Sequence, residues 1–346
     1  MRPFSLLVKP AGADCNLSCP YCFYRPGRAR IPAAPQDGRA RSPSAPPPRM
    51  SDAILERMLT TYCALPIAEH AVAFQGGEPL LMDEVFFRRA AELGEGVSFS
   101  VQTNATLVTG SLARFFAEAG WLVGVSPHGR TPAFRRGYER LVSAGVAVNV
   151  LQLVTKNEVR EPEKLYHYIR DELGCMHHQY IECTSPEPFA VSGEEWGEFM
   201  VRLFDEWMKC GDVHRVSVRT FDSLVSQMLT GMPTLCQFAQ DCRHYLVVEA
   251  NGDVFPCDFY VEPDLCLGNV MRDSWESIVE SPAYAAFGAR KRGHPDCPRN
   301  RHALDEGWKR FYGHAVPRLR QLCGGAERFG QKGSIHHLST KKQEQK

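Results

Sequence analysis

The chain predicts an α/β fold: a partial (β/α)6 TIM-like barrel followed by a smaller C-terminal domain. Three observations carry this. Short apolar runs alternate with longer amphipathic ones over roughly the first two hundred residues. Polar strings, several bearing glycine, follow the apolar runs, where a barrel of this kind keeps its reactive loops. Cysteine density then climbs from Cys236 onward, which marks the second domain.

The predicted strands are Phe4 to Val8, Ala71 to Gln75, Val97 to Gln102, Trp121 to Val125, Val146 to Val154 and Gln179 to Cys183. Between them lie helical patterns at Ser51 to Cys63, Asp83 to Leu93, Ser111 to Ala119, Arg135 to Ala144 and Pro162 to Leu173. Ser51 and Ser111 are the expected N-caps. Leu165, Ile169 and Leu173 recur at i, i+4 and i+8, one buried stripe. Consecutive βα units imply parallel strands with right-handed crossovers. A further helix, Glu194 to Lys209, carries Trp196, Phe199, Met200, Leu203, Phe204 and Trp207 at helical spacing, the pattern of a core face. Asn251-Gly252 between two apolar runs predicts a hairpin turn.

The expected domains are 1–215 and 216–329. Residues 25–49, rich in Pro, Arg, Ala and Ser with no apolar period, read as a flexible insertion, and 330–346 as a disordered tail. Forty basic and forty acidic residues cancel over 346 positions, so no bulk field attracts nucleic acid or an anionic membrane. The N-terminal apolar run is too short for a signal peptide, and no stretch approaches the roughly twenty apolar residues of a membrane span. A cytoplasmic protein with reduced thiols is expected, so its 13 cysteines point to metal ligation or catalysis.

Cys15, Cys19 and Cys22 follow the first strand in x3 and x2 spacing. Three thiolates this close can ligate three irons of a [4Fe-4S] cluster and leave the fourth open to a small molecule. A zinc knuckle or buried free thiols are the alternatives. After the second strand come Gln75, Gly76, Gly77, Glu78 and Pro79; paired glycines admit a ligand close to the backbone, and a carboxylate there suits an ammonium group. Gln102-Thr103-Asn104 and Ser126-Pro127-His128-Gly129 follow the next two strands, on the same rim.

Cys15-x3-Cys19-x2-Cys22 with Gly76-Gly77-Glu78 resembles the radical S-adenosylmethionine (SAM) superfamily. Ser5 to Pro10, Cys19 to Tyr24, Phe74 to Pro79, Gln102 to Asn104 and Pro256 to Val261 together resemble the anaerobic sulfatase-maturating enzymes. The resemblance implies oxidation of a peptidyl Cys or Ser to Cα-formylglycine, in a Cys/Ser-x-Pro-x-Arg segment of a sulfatase precursor, with a reducing electron donor as second partner. It implies cluster ligation by Cys15, Cys19 and Cys22. Tyr21, Gly76, Gly77, Glu78, Thr103, Asn104 and Ser126 would bind SAM, Tyr24 and Gln75 would face the peptide, and Asp258 would be the catalytic base.

Cys236, Cys242 and Cys257 resemble the first half of a SPASM domain, which binds auxiliary iron–sulfur clusters, and Cys297 is a further candidate ligand. The dense cysteine run of the family is missing: Cys297-Pro298 passes directly to Arg299-Asn300-Arg301-His302. Zero or one auxiliary cluster is expected. Another SPASM-type peptide-modifying enzyme and a catalytically impaired homologue are the alternative functions.

Overall fold

The computed structural model describes residues 1–24, 49–184, 187–239, 241–289 and 306–323. The insertion expected at 25–49 (all but Arg49) and the tail expected at 330–346 lie outside them. The described strands are β1 (Ser5–Lys9), β2 (Ala71–Phe74), β3 (Ser98–Thr103), β4 (Leu122–Val125), β5 (Ala147–Val154), β6 (His177–Glu182), β7 (Ser217–Val218), β8 (Tyr245–Glu249), β9 (Asp253–Phe255) and β10 (Gly268–Asn269). The helices are α1 (Asp52–Cys63), α2 (Glu84–Leu93), α3 (Gly110–Glu118), α4 (Pro132–Ser143), α5 (Pro162–His167), α6 (Gly193–Lys209), α7 (Arg219–Thr230), α8 (Trp275–Val279), α9 (Pro282–Ala289) and α10 (Glu306–Leu322). They group into two compact units, one of residues 1–151 with 241–290 and one of 152–240 with 291–346.

In the first unit β1 to β5 run parallel in chain order, as the βα alternation predicts. Each connection holds a helix whose cap lies in the loop before it. Ser51, Asp83, Thr109 and Thr131 accept from the backbone N–H of Ile54, Phe86, Leu112 and Phe134, each cap worth about 1 kcal/mol. The expected cap Ser111 is thus corrected to Thr109. The helix starts one residue before Ser111, whose hydroxyl donates to Glu84 Oε1 at 3.0 Å instead. Phe74 anchors the core, its ring packed among Phe86, Phe87, Phe99 and Trp121.

The hairpin predicted at Asn251-Gly252 forms, with Gly252 at φ +85° joining antiparallel β8 and β9. It extends the first sheet. Strand β8 lies parallel against the other side of β1, matching Ser5 with Tyr245 and Lys9 with Glu249. Leu7, Val247, Phe255 and Val261 bury one another, so the chain beyond β9 covers the sheet face that Leu7 and Val247 share.

In the second unit α6 buries all six aromatic and aliphatic residues of its predicted stripe. It packs on α10 so closely that a Cβ on Gly197 would lie 2.3 Å from the Gly307 carbonyl oxygen. Leu165, Ile169 and Leu173 are buried as expected, but the α-helix ends at His167 and continues as a wider turn over Tyr168–Glu172. His178 is buried and neutral: Nε2–H donates to the Cys175 carbonyl at 2.7 Å, and Nδ1 accepts from Tyr180. Burial lowers its pKa from 6.5 to about 4.

That shift makes the fold sensitive to acid. Above pH 6.5 neither the folded nor the unfolded histidine is charged; as pH falls toward 4 the unfolded chain takes up the proton first. Stability is expected to fall by about 3 kcal/mol across this window. Urea titrations at pH 7 and pH 4.5 should show His178→Gln losing that part of the slope, and an unchanged slope would place the titration elsewhere.

Candidate active site at the strand ends

Cys15, Cys19 and Cys22 lie in the loop after β1, half-buried, and no described cysteine is in a disulfide. The loop is irregular and takes its shape from its neighbours. Gly77 N–H donates to the Gly12 carbonyl at 2.9 Å and Glu78 N–H to Asp14 at 2.8 Å. A Cβ on Gly77 would sit 2.0 Å from the Asp14 carbonyl oxygen, so only glycine permits this approach. Gly76, at φ +120°, turns the chain there.

Burial pushes the Cys15 thiol up, and the nearby charges of Glu78, Cys19 and Cys22 push the same way, against a hydrogen bond from Leu17 N–H. Three thiols on one short loop are a donor set suited to a metal centre. Three half-buried cysteines on one loop, none of them in a disulfide, are residues of the kind that an iron–sulfur cluster takes as ligands.

Glu78 is buried, with a rigid set of partners. Oε1 accepts from Thr103 Oγ1 at 2.7 Å and Leu80 N–H at 3.0 Å, and Oε2 from Asn104 N–H at 2.8 Å. Burial raises its pKa while these donors lower it. The carboxylate therefore ties the turn after β2 to the end of β3. Asn104 Nδ2 donates to Asn16 Oδ1 at 2.9 Å and lies 4.0 Å from Cys15 Sγ, and Ser126 N–H donates to Thr103 at 3.0 Å. Gln102 Nε2 reaches Ser126 Oγ at 3.0 Å, and Gln75 N–H donates to Val8 at 2.9 Å. Tyr21 is half-buried in the cysteine loop.

Asp258, also buried, accepts at Oδ1 from the Tyr245 hydroxyl at 2.7 Å; the same hydroxyl lies 3.3 Å from Cys257 Sγ. Phe259 stacks on Phe23 with centroids 5.3 Å apart, which joins the Asp258 segment to the cysteine loop. Tyr24 is buried and donates to Glu249. Cys242 is half-buried in this unit, whereas Cys236 falls in the second one and Cys297 lies outside the described residues. Sequence reasoning missed Lys9, Tyr245 and Glu249. The only trace of Lys9 and Glu249 is a charge at the end of an apolar strand.

Three thiols and a Gly-Gly-Glu turn at the C-terminal ends of parallel strands, with a cysteine-bearing hairpin beside them, define a radical SAM enzyme with a SPASM region. The radical SAM superfamily model matches residues 10–169, and the SPASM iron–sulfur cluster-binding domain model matches 236–300. A cysteine-type anaerobic sulfatase-maturating enzyme of Clostridium perfringens (strain 13) is 31% identical over 312 residues, covering 81% of both chains. A serine-type enzyme of Bacteroides thetaiotaomicron is 28% identical, covering 95% of this chain and 89% of that one. The solved structure of native anSMEcpe with bound AdoMet and Kp18Cys peptide superposes with TM-score 0.80 at 28% identity, covering 93% of this chain and 99% of that one. The chain belongs to the family of anaerobic sulfatase-maturating enzymes. Its fold is accordingly the TIM-like partial barrel with a SPASM domain.

Gly77→Ala tests the backbone contact. The added methyl should displace the cysteine loop, and the anaerobically reconstituted variant should lose most of the iron held there. Iron content at the wild-type level would show that the loop can yield.

Proposed function

We propose that this chain oxidises a cysteine or serine in a Cys/Ser-x-Pro-x-Arg segment of a sulfatase precursor to Cα-formylglycine. The observation that carries it is Asp258, a buried carboxylate beside a candidate cluster thiol and joined by the Phe259–Phe23 stack to the cysteine loop. Its relatives of both the cysteine and serine types support the reaction class. Cys15, Cys19 and Cys22 would hold a [4Fe-4S] cluster, with Gly76, Gly77, Thr103, Asn104 and Ser126 around the SAM bound to it. Bound there, the cluster and SAM would supply the one-electron chemistry that removes a hydrogen atom from the substrate Cβ.

The chain's own residues do the rest. Gln75 and Tyr24 lie toward the peptide in this reading, and Asp258 takes the proton from the substrate thiol or hydroxyl. Tyr245 fixes the Asp258 carboxylate by donating its hydroxyl to Oδ1. Cys257, the adjacent residue, would be a ligand of the centre that accepts the electron, with Cys242, Cys236 and Cys297 as further candidates. A separate reducing donor must prime the first cluster. Chemistry divides the chain at 1–215 and 216–329, whereas packing joins the β8–β9 hairpin to the first unit.

Asp258→Asn should leave peptide-independent 5′-deoxyadenosine release intact while slowing formylglycine formation by about a hundredfold or more. Mass spectrometry of a Cys-x-Pro-x-Arg peptide checks this, and a wild-type rate would remove Asp258 from the reaction. Iron and sulfide analysis of reconstituted protein should give about four or about eight irons per chain, for none or one auxiliary cluster, and about twelve would contradict the ligand count.

A further inference from the structure

A buried contact beside the cysteine loop joins two parts of the chain far apart in sequence. Lys9 ends β1 and Glu249 ends β8, and the parallel register sets them side by side on the face that Leu7 and Val247 also line. Lys9 is 2% exposed and Glu249 8%, with Nζ 3.7 Å from Glu249 Oε1. Tyr24, two positions past Cys22, places its ring 3.8 Å from that ammonium. Its hydroxyl donates to the Glu249 carboxylate, 2.9 and 2.8 Å from the two oxygens. Next to it, Phe23 stacks on Phe259 of the segment following β9.

A buried ion pair is by itself a poor source of stability, because two desolvated charges are repaid only by good geometry and further hydrogen bonds. Here Tyr24 supplies both missing parts: an O–H for the carboxylate and a π face for the ammonium. The cysteine loop, which has no regular structure, is thereby held at its last cysteine by residues of the hairpin.

We propose that Tyr24, Glu249 and Lys9 form a buried lock through which the β8–β9 hairpin fixes the Cys22 end of the cluster loop. Glu249 and Lys9 are positioning residues that act on the cluster through Tyr24. The hairpin that leads to Cys257 and Asp258 would thus also steady the loop whose three cysteines would hold the first cluster. This goes beyond the formylglycine reaction and rests only on Cys15, Cys19 and Cys22 holding the cluster.

The test uses the full chain, reconstituted under argon, as wild type, Tyr24→Phe, Glu249→Gln and their double variant. Lys9→Met/Glu249→Leu removes both buried charges together, in case a lone lysine prevents Glu249→Gln from folding. Iron release to a chelator should be about tenfold faster in each, as for the loss of a partner that orients a metal ligand. The change that added SAM produces in the electron paramagnetic resonance spectrum of the reduced cluster should weaken in parallel, a signature that loss of fold stability alone would not move. Because Glu249 acts through Tyr24, the Tyr24→Phe/Glu249→Gln variant should lose iron no faster than Tyr24→Phe. Wild-type release and spectra in Tyr24→Phe and in Lys9→Met/Glu249→Leu, or losses that multiply in the double variant, would overturn the lock. Equal iron content in wild type and Cys19→Ala would instead overturn the cluster assignment beneath it.

Discussion

The site depends on one backbone-to-backbone contact, Gly76 to Glu78 laid against Gly12 to Asp14. The cysteine loop has no helix or ladder of its own, so its N–H and C=O groups need partners from neighbouring strand ends. Gly77 and Glu78 provide two of them, and the absence of a side chain at Gly77 lets the chains approach. Glu78 then fastens the arrangement from below. Burying a carboxylate costs several kcal/mol unless donors replace its water, and Thr103, Leu80 and Asn104 are those donors. The carboxylate that the sequence offers to a cofactor ammonium group also joins the turn after β2 to the end of β3.

Around that contact the molecule divides rigidity from chemistry. Phe74 and its aromatic neighbours fix the strands, and the capped helices fix where each connection turns back. Polar residues at the C-terminal strand ends are then displayed from a stiff frame. Strand β8 covers the side of β1 away from β2, which removes an exposed edge and delivers Glu249, Cys257 and Asp258 to the same unit as the three cysteines.

Periodicity made much of the fold legible. β1 to β6 and α1 to α4 fall within a few residues of their predicted places, because alternating and 3.6-residue patterns report local burial directly. Thr109-Gly110-Ser111 offers two capping hydroxyls, and the sequence alone does not rank them; the last turn of the α5 segment widens for reasons equally invisible there. The motifs at the strand ends were legible as chemistry. Lys9 and Glu249 were not. In sequence each looks like a solvated charge closing a strand, and only a pairing across some 240 positions turns them into buried partners.

The shortened cysteine complement bears on the same hairpin. From Cys236 onward the chain has six cysteines, and two all-cysteine four-iron clusters would need eight. What the chain keeps is the hairpin half of the region, with Cys242, Cys257 and Asp258. In the proposed reaction the proton leaves the substrate thiol or hydroxyl and the electron the neighbouring carbon, so a base and an electron acceptor side by side suit the step. The Cys257–Asp258 peptide bond enforces that proximity, and the Tyr245 hydroxyl touches both side chains. The half of the region that this chain keeps therefore sets that carboxylate beside that thiol, on the segment that follows β9.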